Sequence, residues 1–298
     1  MTEIVPKEAE DLLTWKGLLQ AFEDGHRMPR AQIKDMFLFR DKDTLLDRAA
    51  WIDGLGALVK VATIFPGNAA RKMPTIFGAV TLFDDMTGDL DAIVDFHLVT
   101  KWKTAGDSLL SASRLARKDA RSFLLVGAGA VARSMVEAYS ALFPEARFTV
   151  WSRTRSSAEA MGLPVADDLE AAVRKADVIC SATMATVPLI KGDWLQPGQH
   201  LDLIGAYKPG MREVDDRAMQ RARLFVDSRD TTIHHIGEIM DPIASGAITE
   251  ADIVADFYDD PAVYVRRSDD EITIAKNGGG AHLDLMTASY IAKCWRNR

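Results

Sequence analysis

The fold of this chain is decided by the stretch Ser122-Phe-Leu-Leu-Val-Gly-Ala-Gly-Ala-Val-Ala-Arg133. A short apolar run predicts a strand, a Gly-x-Gly-x-x-Ala turn follows it, and an amphipathic pattern predicts a helix after the turn. Gly127 permits the tight turn, Gly129 lets backbone approach a pyrophosphate, and Ala132 lets helix and strand pack closely. Free N–H groups and the helix dipole would then hold the phosphates. The stretch predicts a dinucleotide site; the alternative is an ordinary strand-to-helix turn rich in small residues.

Strands and helices alternate after this turn. The predicted strands are 147–151, 177–182, 200–204 and 223–226, with helices 156–161 and 167–175 among them. Such alternation predicts an α/β fold, a Rossmann-type doubly wound parallel sheet that binds its ligand at the carboxyl ends of the strands.

The first third of the chain has a different pattern. A helical stripe over 7–24 ends before Pro29, and extended runs follow at 36–39, 55–65, 75–83 and 90–100. The cluster Asp84-Asp-Met-Thr-Gly-Asp89 predicts a hairpin turn. A helix is predicted over 104–117, and a last helix over 281–295 follows Asn277-Gly-Gly-Gly280. We therefore expect an α+β substrate/dimerisation domain over 1–112 and 281–298, with the nucleotide domain over 113–280.

Composition excludes several classes of function. The 298 residues carry a net charge of −7 and contain no basic run, which argues against nucleic acid and anionic membranes as partners. The polar, acidic start does not resemble a signal peptide, and no apolar run reaches the length of a membrane span. Two cysteines fit a reducing compartment. We expect a cytoplasmic protein.

The coenzyme preference is predicted from the end of the second strand of the nucleotide domain. NAD-binding sheets usually place Asp or Glu there, to accept hydrogen bonds from the ribose. This chain has Ser152-Arg-Thr-Arg155 instead. Guanidinium groups match phosphate oxygens, so the sequence favours NADP(H), with NAD(H) as the alternative. The same residues could also form a merely basic, solvated loop.

Three cations precede the glycine turn. Lys60 lies in an apolar run and shares a strand face with Leu58 and Ala62, so it either protects a sheet edge or projects a charge into a cleft. Lys103 is expected where a strand meets the helix over 104–117, and Arg30 lies in an early loop. Taken singly, each is a common kind of surface cation.

Together these positions fit a pattern that spans nearly the whole chain. Its segments are Gly56-Ala-Leu-Val-Lys60, Phe65-Pro-Gly-Asn68, Lys103-Thr-Ala-Gly-Asp-Ser108, Gly205-Ala-Tyr-Lys-Pro-Gly-Met-Arg-Glu213 and Arg267-Ser-Asp-Asp-Glu-Ile-Thr273. In this order they resemble the ornithine cyclodeaminase/mu-crystallin family. The resemblance implies a homodimer with a nucleotide domain and a substrate domain that takes back the last helix. It also implies hydride transfer at the α carbon of small amino or imino acids.

The resemblance also implies site residues. Arg30, Lys60 and Lys103 match the cations that hold the substrate carboxylate, and Asn68 lies in a matching substrate segment. The positions that match coenzyme contacts are Thr104, Gly127, Ala128, Gly129, Ala130, Val131, Ala132, Ser152, Arg153, Thr154, Ser181, Ala182, Thr183, Lys276 and Asn277. A carboxylate held by several donors would place the neighbouring C=N carbon for hydride transfer.

Two departures from the family pattern refine the expected activity. Lys103 stands where the family has Arg, which keeps the charge but loses the bidentate fork. Tyr207 stands where the cyclodeaminases have the Asp that handles protons, and a phenol is a poor base at neutral pH. Reduction of an imine does not need a strong base at this position. Lys60 and Tyr207 are the candidate catalytic residues for that reaction.

We therefore expect an NAD(P)H-dependent reductase of small 2-imino acids, of the pyrroline- or piperideine-2-carboxylate type. The alternatives are an ornithine cyclodeaminase, an alanine-type dehydrogenase, and a protein that binds NADPH and a small ligand without turnover. No metal site is expected, since His234 and His235 are adjacent residues of a predicted helix and point to different faces. His282, after the glycine elbow, is a further candidate for ligand contact.

Overall fold

The computed structural model describes residues 2–298, which divide into two compact units. The first unit runs to Lys103 and takes back Gly280–Arg298, and the second is Thr104–Gly279. The division falls within a single helix, Phe96–Leu115, which also contains the boundary at 112/113 expected from the sequence.

The helices contribute to both units. In chain order they are α1 (Trp15–Arg27), α2 (Phe96–Leu115), α3 (Ala130–Leu142), α4 (Arg155–Glu159), α5 (Leu169–Lys175), α6 (Asp216–Arg221), α7 (Arg229–Thr232), α8 (Gly237–Ala244) and α9 (Ala281–Arg296). Short 3₁₀ turns lie at Lys7–Leu12, Pro66–Arg71, Gly192–Trp194 and Glu250–Asp252. Among the described residues, no helix is both long enough and apolar enough to cross a membrane.

The first unit is built on a six-stranded sheet. Its strands are β1 (Glu3–Val5), β2 (Gln32–Arg40), β3 (Asp43–Ile52), β4 (Gly56–Ile64), β5 (Ile76–Phe83) and β6 (Leu90–Val94). Their order is β1-β6-β5-β4-β3-β2, antiparallel except for the β1–β6 pair. The β5–β6 hairpin confirms the predicted turn, in which the Asp84 carboxylate accepts from the backbone N–H groups of Met86 and Thr87.

Helix α9 forms the core of the first unit, packed on α1 and on one face of the sheet. All eight residues from Ala281 to Ala288 are buried. A Cβ on Gly25 of α1 would lie 2.6 Å from the Met286 sulfur, so glycine is what allows the two helices to approach this closely. This packing carries His282 and Asp284 into the interior, where a polar side chain needs partners.

The second unit has a seven-stranded, wholly parallel sheet. Its strands are β7 (Ser122–Val126), β8 (Arg147–Trp151), β9 (Val178–Ser181), β10 (His200–Leu203), β11 (Arg223–Val226), β12 (Ile253–Ala255) and β13 (Thr273–Lys276). The order β12-β11-β13-β10-β9-β7-β8 confirms the predicted doubly wound sheet. Successive strands leave β7 in opposite directions, to β8 and then to β9. The crevice above the carboxyl ends of β7 and β9 is therefore the topological switch point, where such sheets bind ligands.

Four local predictions are wrong. The strand predicted over 90–100 ends at Val94, because the Asp95 side chain accepts from Leu98 N at 2.7 Å and starts α2 there; Lys103 therefore lies inside a helix. The helix predicted over 7–24 is two elements, because Thr14 accepts from Gly17 N and begins α1. Strand β3 was not predicted, since its adjacent apolar residues do not alternate. The two adjacent histidines lie in the turn between α7 and α8, outside any helix.

Candidate functional site

The glycine turn of the second unit has the geometry of a phosphate cradle. Gly127 has φ +111°, and a Cβ there would lie 2.6 Å from the Ala182 carbonyl oxygen. Gly129 is the N-cap of α3, and a Cβ there would meet nothing within 4 Å. The helix has no side-chain cap and no acidic residue in its first turn, while Ala132 is buried against the unit. The open space in front of these N–H groups fits the pyrophosphate of a dinucleotide.

A cleft of about 350 Å³ opens beside this turn. It is lined by Gly127, Trp151, Ser152, Arg153, Thr154 and residues 183–187 and 189. The end of β8 has no carboxylate, and Arg153 is exposed at the cleft. Arg155, by contrast, is paired with Glu159 at 2.8 Å and with Asp167. At the end of β8, the cleft therefore offers a ligand the Arg153 guanidinium group and the hydroxyls of Ser152 and Thr154.

Three residues expected to contact coenzyme are buried and engaged inside the second unit. The Ser181 hydroxyl donates to Glu213 at 2.6 Å, and the Lys276 ammonium donates to the Leu203 carbonyl oxygen at 2.7 Å. The Asn277 amide donates to Asp107 at 2.8 Å. Thr104, Ala128, Val131, Ala182 and Thr183 are half-buried, while Ala130 is exposed at the start of α3.

In the first unit, Lys60 is the centre of a buried charge cluster. Lys60 is 5% exposed, and its ammonium donates to the Asp284 carboxylate at 2.8 Å and lies 4.9 Å from the Phe96 ring centre. Arg48 is opposite Lys60 in the β3–β4 ladder, so both side chains are on the sheet face that α9 covers. A guanidinium nitrogen of Arg48 lies 3.8 Å from Asp284, and the same group hydrogen-bonds Asp35.

The electrostatics of this cluster favour an additional anion. Burial lowers the pKa of the Lys60 ammonium to about 8, Asp284 opposes that change, and Lys103 and Arg48 add to it. Burial would raise the pKa of the Asp284 carboxyl, but Lys103, Lys60 and Arg48 together hold it below its usual value. Burial and the charge of Lys103 lower the pKa of His282 to about 3, so its ring is neutral.

Further cations act on this cluster. Arg30, which is exposed, acts electrostatically on His282, so all three predicted substrate cations are in reach of the cluster. Lys60, Lys103 and Arg48 all act on Asp284. Asn68 belongs to a neighbouring loop, where its amide donates to the Pro74 carbonyl oxygen at 3.0 Å. Tyr207, in the second unit, is 56% exposed and free to present its phenol.

Three charged residues of these sites were not singled out from the sequence. Arg48 lies on the strand that the sequence pattern missed. Asp284 lies on the last helix, where an acidic residue in the first turn is ordinarily a favourable surface feature. Glu213 ends a segment that matches the family but had no assigned role. The pattern Asp284-Leu-Met within an otherwise apolar helix was the one signal of a buried acid.

Comparison with known proteins agrees with this geometry. The model of the ornithine cyclodeaminase/mu-crystallin family matches residues 40–298. A Delta(1)-pyrroline-2-carboxylate reductase of Paracoccus denitrificans is 52% identical, with 96% of this chain and 94% of that protein covered. The ketimine reductase mu-crystallin of Mus musculus is 31% identical, with 79% and 75% covered.

A solved structure shows the same fold over the whole chain. An archaeal alanine dehydrogenase dimer with bound NAD superimposes with a TM-score of 0.90 at 27% identity, covering 99% of this chain and 96% of that one. The match extends over both the six-stranded and the seven-stranded sheet. On the family match and the 52% identical relative together, the chain belongs to the ornithine cyclodeaminase/mu-crystallin family.

Proposed function

We propose that this chain is an NAD(P)H-dependent reductase of small 2-imino acids, of the pyrroline- or piperideine-2-carboxylate type. The observation that carries the proposal is the buried Lys60 ammonium together with Lys103, Arg48 and Arg30, the cations that act on the same cluster in the first unit. A 2-imino acid has a carboxylate next to its C=N carbon, so cations that hold the carboxylate also position the reacting carbon. The relative at 52% identity, a pyrroline-2-carboxylate reductase, supports the same substrate class.

In the proposed reaction, the second unit would bind the coenzyme and the first unit would bind the substrate carboxylate. When bound, the coenzyme supplies the hydride that converts the C=N carbon to C–H. The second unit would hold the pyrophosphate at Gly129 and the start of α3. In the first unit, Arg30, Lys60 and Lys103 would hold the substrate carboxylate. The nitrogen must also gain a proton, and the Lys60 ammonium, with its pKa of about 8, is the group best matched to donate it near neutral pH. Tyr207 would hydrogen-bond the nitrogen.

A second candidate is the reverse reaction on an amino acid. The archaeal alanine dehydrogenase is the observation that favours it, because it matches the chain over its whole length. Cyclodeaminase chemistry has less support, because Tyr207 replaces the Asp expected to handle protons in that reaction.

Incubation with candidate substrates distinguishes these activities. Purified protein with NADPH and pyrroline-2-carboxylate or piperideine-2-carboxylate is expected to consume nicotinamide absorbance. Reduction of NAD(P)⁺ by alanine, with no imine reduction, would support the dehydrogenase. Ammonia released from ornithine with catalytic NAD⁺ would support the cyclodeaminase. Tight binding of NADPH with no turnover of any of these compounds would leave only the ligand-binding protein.

The preferred coenzyme is proposed to be NADP(H). The exposed Arg153, with the hydroxyls of Ser152 and Thr154, supports this preference, because the end of β8 has no carboxylate to repel a 2′-phosphate. In the same assay, Arg153→Ala is expected to raise the KM for NADPH about tenfold while changing that for NADH little. Arg155→Ala is the matched control, since Arg155 is already paired with two carboxylates. Equal KM values for NADPH in wild type and Arg153→Ala would contradict the preference.

A homodimer is proposed from the uncovered face of the six-stranded sheet. Large apolar side chains are exposed on the face opposite α9: Ile4, Met36, Leu38, Trp51, Phe77 and Ile93. Monomeric proteins rarely leave such a patch in water, and the archaeal structural relative is a dimer. A second copy of this chain is therefore the proposed partner.

Light scattering is expected to give about twice the 32.8 kDa chain mass. The charge introduced by Trp51→Glu on β3, in this face, is expected to give the monomer mass. Met86→Glu, at an exposed turn residue outside the face, is the control. A monomeric wild type, or a Trp51→Glu variant that stays dimeric, would contradict this interface.

The proposed location is the cytoplasm. Cys180 and Cys294 are both free thiols, one buried in β9 and one half-buried in α9. Free thiols in a chain without a disulfide framework fit a reducing compartment.

A further inference from the structure

Glu213 accepts an unusual number of hydrogen bonds for one carboxylate. One oxygen accepts from the Ser181 hydroxyl at 2.6 Å and from the backbone N–H and hydroxyl of Thr183 at 2.8 and 2.9 Å. The other accepts from the backbone N–H groups of Gly205 at 2.7 Å and Ala206 at 3.3 Å. The side chain is fully buried. Its donors belong to the last residue of β9 and to the two loops that follow β9 and β10.

These loops form the wall of the switch-point crevice that faces the glycine turn. The Ala182 carbonyl oxygen lies 2.6 Å from where a Cβ of Gly127 would be, so the β9 loop packs directly against the first glycine. The β10 loop packs against the β9 loop in turn, because a Cβ on Gly205 would be 2.0 Å from the Thr183 carbonyl oxygen. Neither loop has regular structure there, so Glu213 supplies the bonds that a strand or helix would have provided.

The backbone at Glu213 is held in place by a second buried carboxylate. Glu238 of α8 accepts from the backbone N–H groups of Glu213 at 2.7 Å and Val214 at 3.1 Å. Burial and the charge of Glu213 raise the pKa of Glu238 to about 7. Burial lowers the pKa of Lys276, while Glu213 and Glu238 both act to raise it. The Lys276 ammonium is thus a positive charge beside the two carboxylates.

We propose that Glu213 is a positioning residue of the coenzyme site, which fixes the β9 and β10 loops against the glycine turn and so sets coenzyme affinity without touching the coenzyme. This inference rests on the proposed function, because it assumes that the crevice binds NAD(P)H. A buried acceptor with five donors has no substitute of the same shape, since an amide would present hydrogens to donor groups.

The test is a comparison of coenzyme binding with thermal stability. Glu213→Gln is expected to raise the Kd for NADPH, measured by nicotinamide fluorescence, about tenfold or more. The KM for the imino acid at saturating NADPH is expected to change less than about twofold. Ser181→Ala removes one donor and keeps the charge, so it is expected to raise the Kd about three- to fivefold in a protein that still folds. The control is Asp177→Asn, which alters a carboxylate that accepts from the backbone N–H groups of Arg121 and Ser122 at 2.9 Å, at the amino ends of β7 and β9, and is expected to lower Tm with little change in Kd.

The possible outcomes separate this inference from the proposed function. A wild-type protein that binds no NADPH would contradict both. A wild type that reduces imines, with Glu213→Gln and Ser181→Ala binding NADPH as wild type does, would overturn only the role of Glu213. A parallel loss of Tm in Glu213→Gln and Asp177→Asn, with equal changes in Kd, would show that Glu213 acts through general stability and would also overturn it.

Discussion

Replacing Lys60 with methionine is expected to abolish imine reduction, with kcat/KM lowered roughly 1,000-fold. Methionine keeps the apolar stem but removes the ammonium, which is proposed both to hold the substrate carboxylate and to give a proton to the nitrogen. Removing a general acid alone typically costs 10²–10⁴-fold, and the lost carboxylate contact adds a rise in KM. Nicotinamide absorbance with pyrroline-2-carboxylate measures the change. Lys34→Met, at an exposed position on β2 of the same sheet, is the matched control.

The same substitution is expected to destabilise the first unit. Asp284 is fully buried and loses the partner 2.8 Å from its oxygen, and breaking one side of a buried pair costs about 3–5 kcal/mol. Lys60→Met/Asp284→Asn also removes the carboxylate charge that has lost its hydrogen-bonded partner, and is expected to recover part of that stability without recovering activity. Chemical denaturation measures the first effect and steady-state kinetics the second. Recovery of reductase activity in the double variant would show that Lys60 serves stability alone.

The second unit could be predicted from sequence because its signal is local. The glycine turn joins strand and helix within twelve residues, and each small residue has a steric reason to be there. The structure confirms the reason at Gly127, whose φ is positive, and Gly129 faces open space that leaves room for the proposed pyrophosphate. The absence of a carboxylate after β8 is also a local sequence signal, and the proposed coenzyme preference follows from it.

The charge cluster of the first unit could be predicted only in part, because its contacts are distant in sequence. Lys60 and Asp284 are 224 residues apart, and neither sequence pattern nor spacing indicates that α9 covers β4. Arg48 joins this cluster because the register of β3 against β4 places it opposite Lys60. Its strand was not predicted, because the adjacent apolar residues of β3 do not alternate with polar ones. Glu213 was visible within a family segment, but its five bonds come from the end of β9 and from the loops after β9 and β10. Long-range register and loop packing decide these contacts, and no local pattern encodes them.

The pH dependence of catalysis is expected to identify Lys60 as the titrating acid. Because the ammonium is the active form, kcat/KM is expected to be level below about pH 8 and to fall about tenfold per unit above it. Asp284 on α9 raises the pKa of Lys60, while Lys103 on α2 and Arg48 on β3 lower it. His282, with its pKa near 3, stays neutral throughout this range. The plot of kcat/KM against pH should therefore show a single decrease, above about pH 8.

Asp284→Asn is expected to move that decrease to lower pH. An opposite charge at 2.8 Å typically shifts a pKa by 1–3 units, so removing it should lower the pKa of Lys60 by a similar amount. At pH 8, kcat/KM would then be roughly 5- to 500-fold below wild type, while near pH 5 the two enzymes would approach each other. Asp284→Glu keeps the charge and should leave the decrease near its original position. If Asp284→Asn is equally impaired at every pH, the carboxylate does not control the protonation of Lys60, and another group donates the proton to the imine nitrogen.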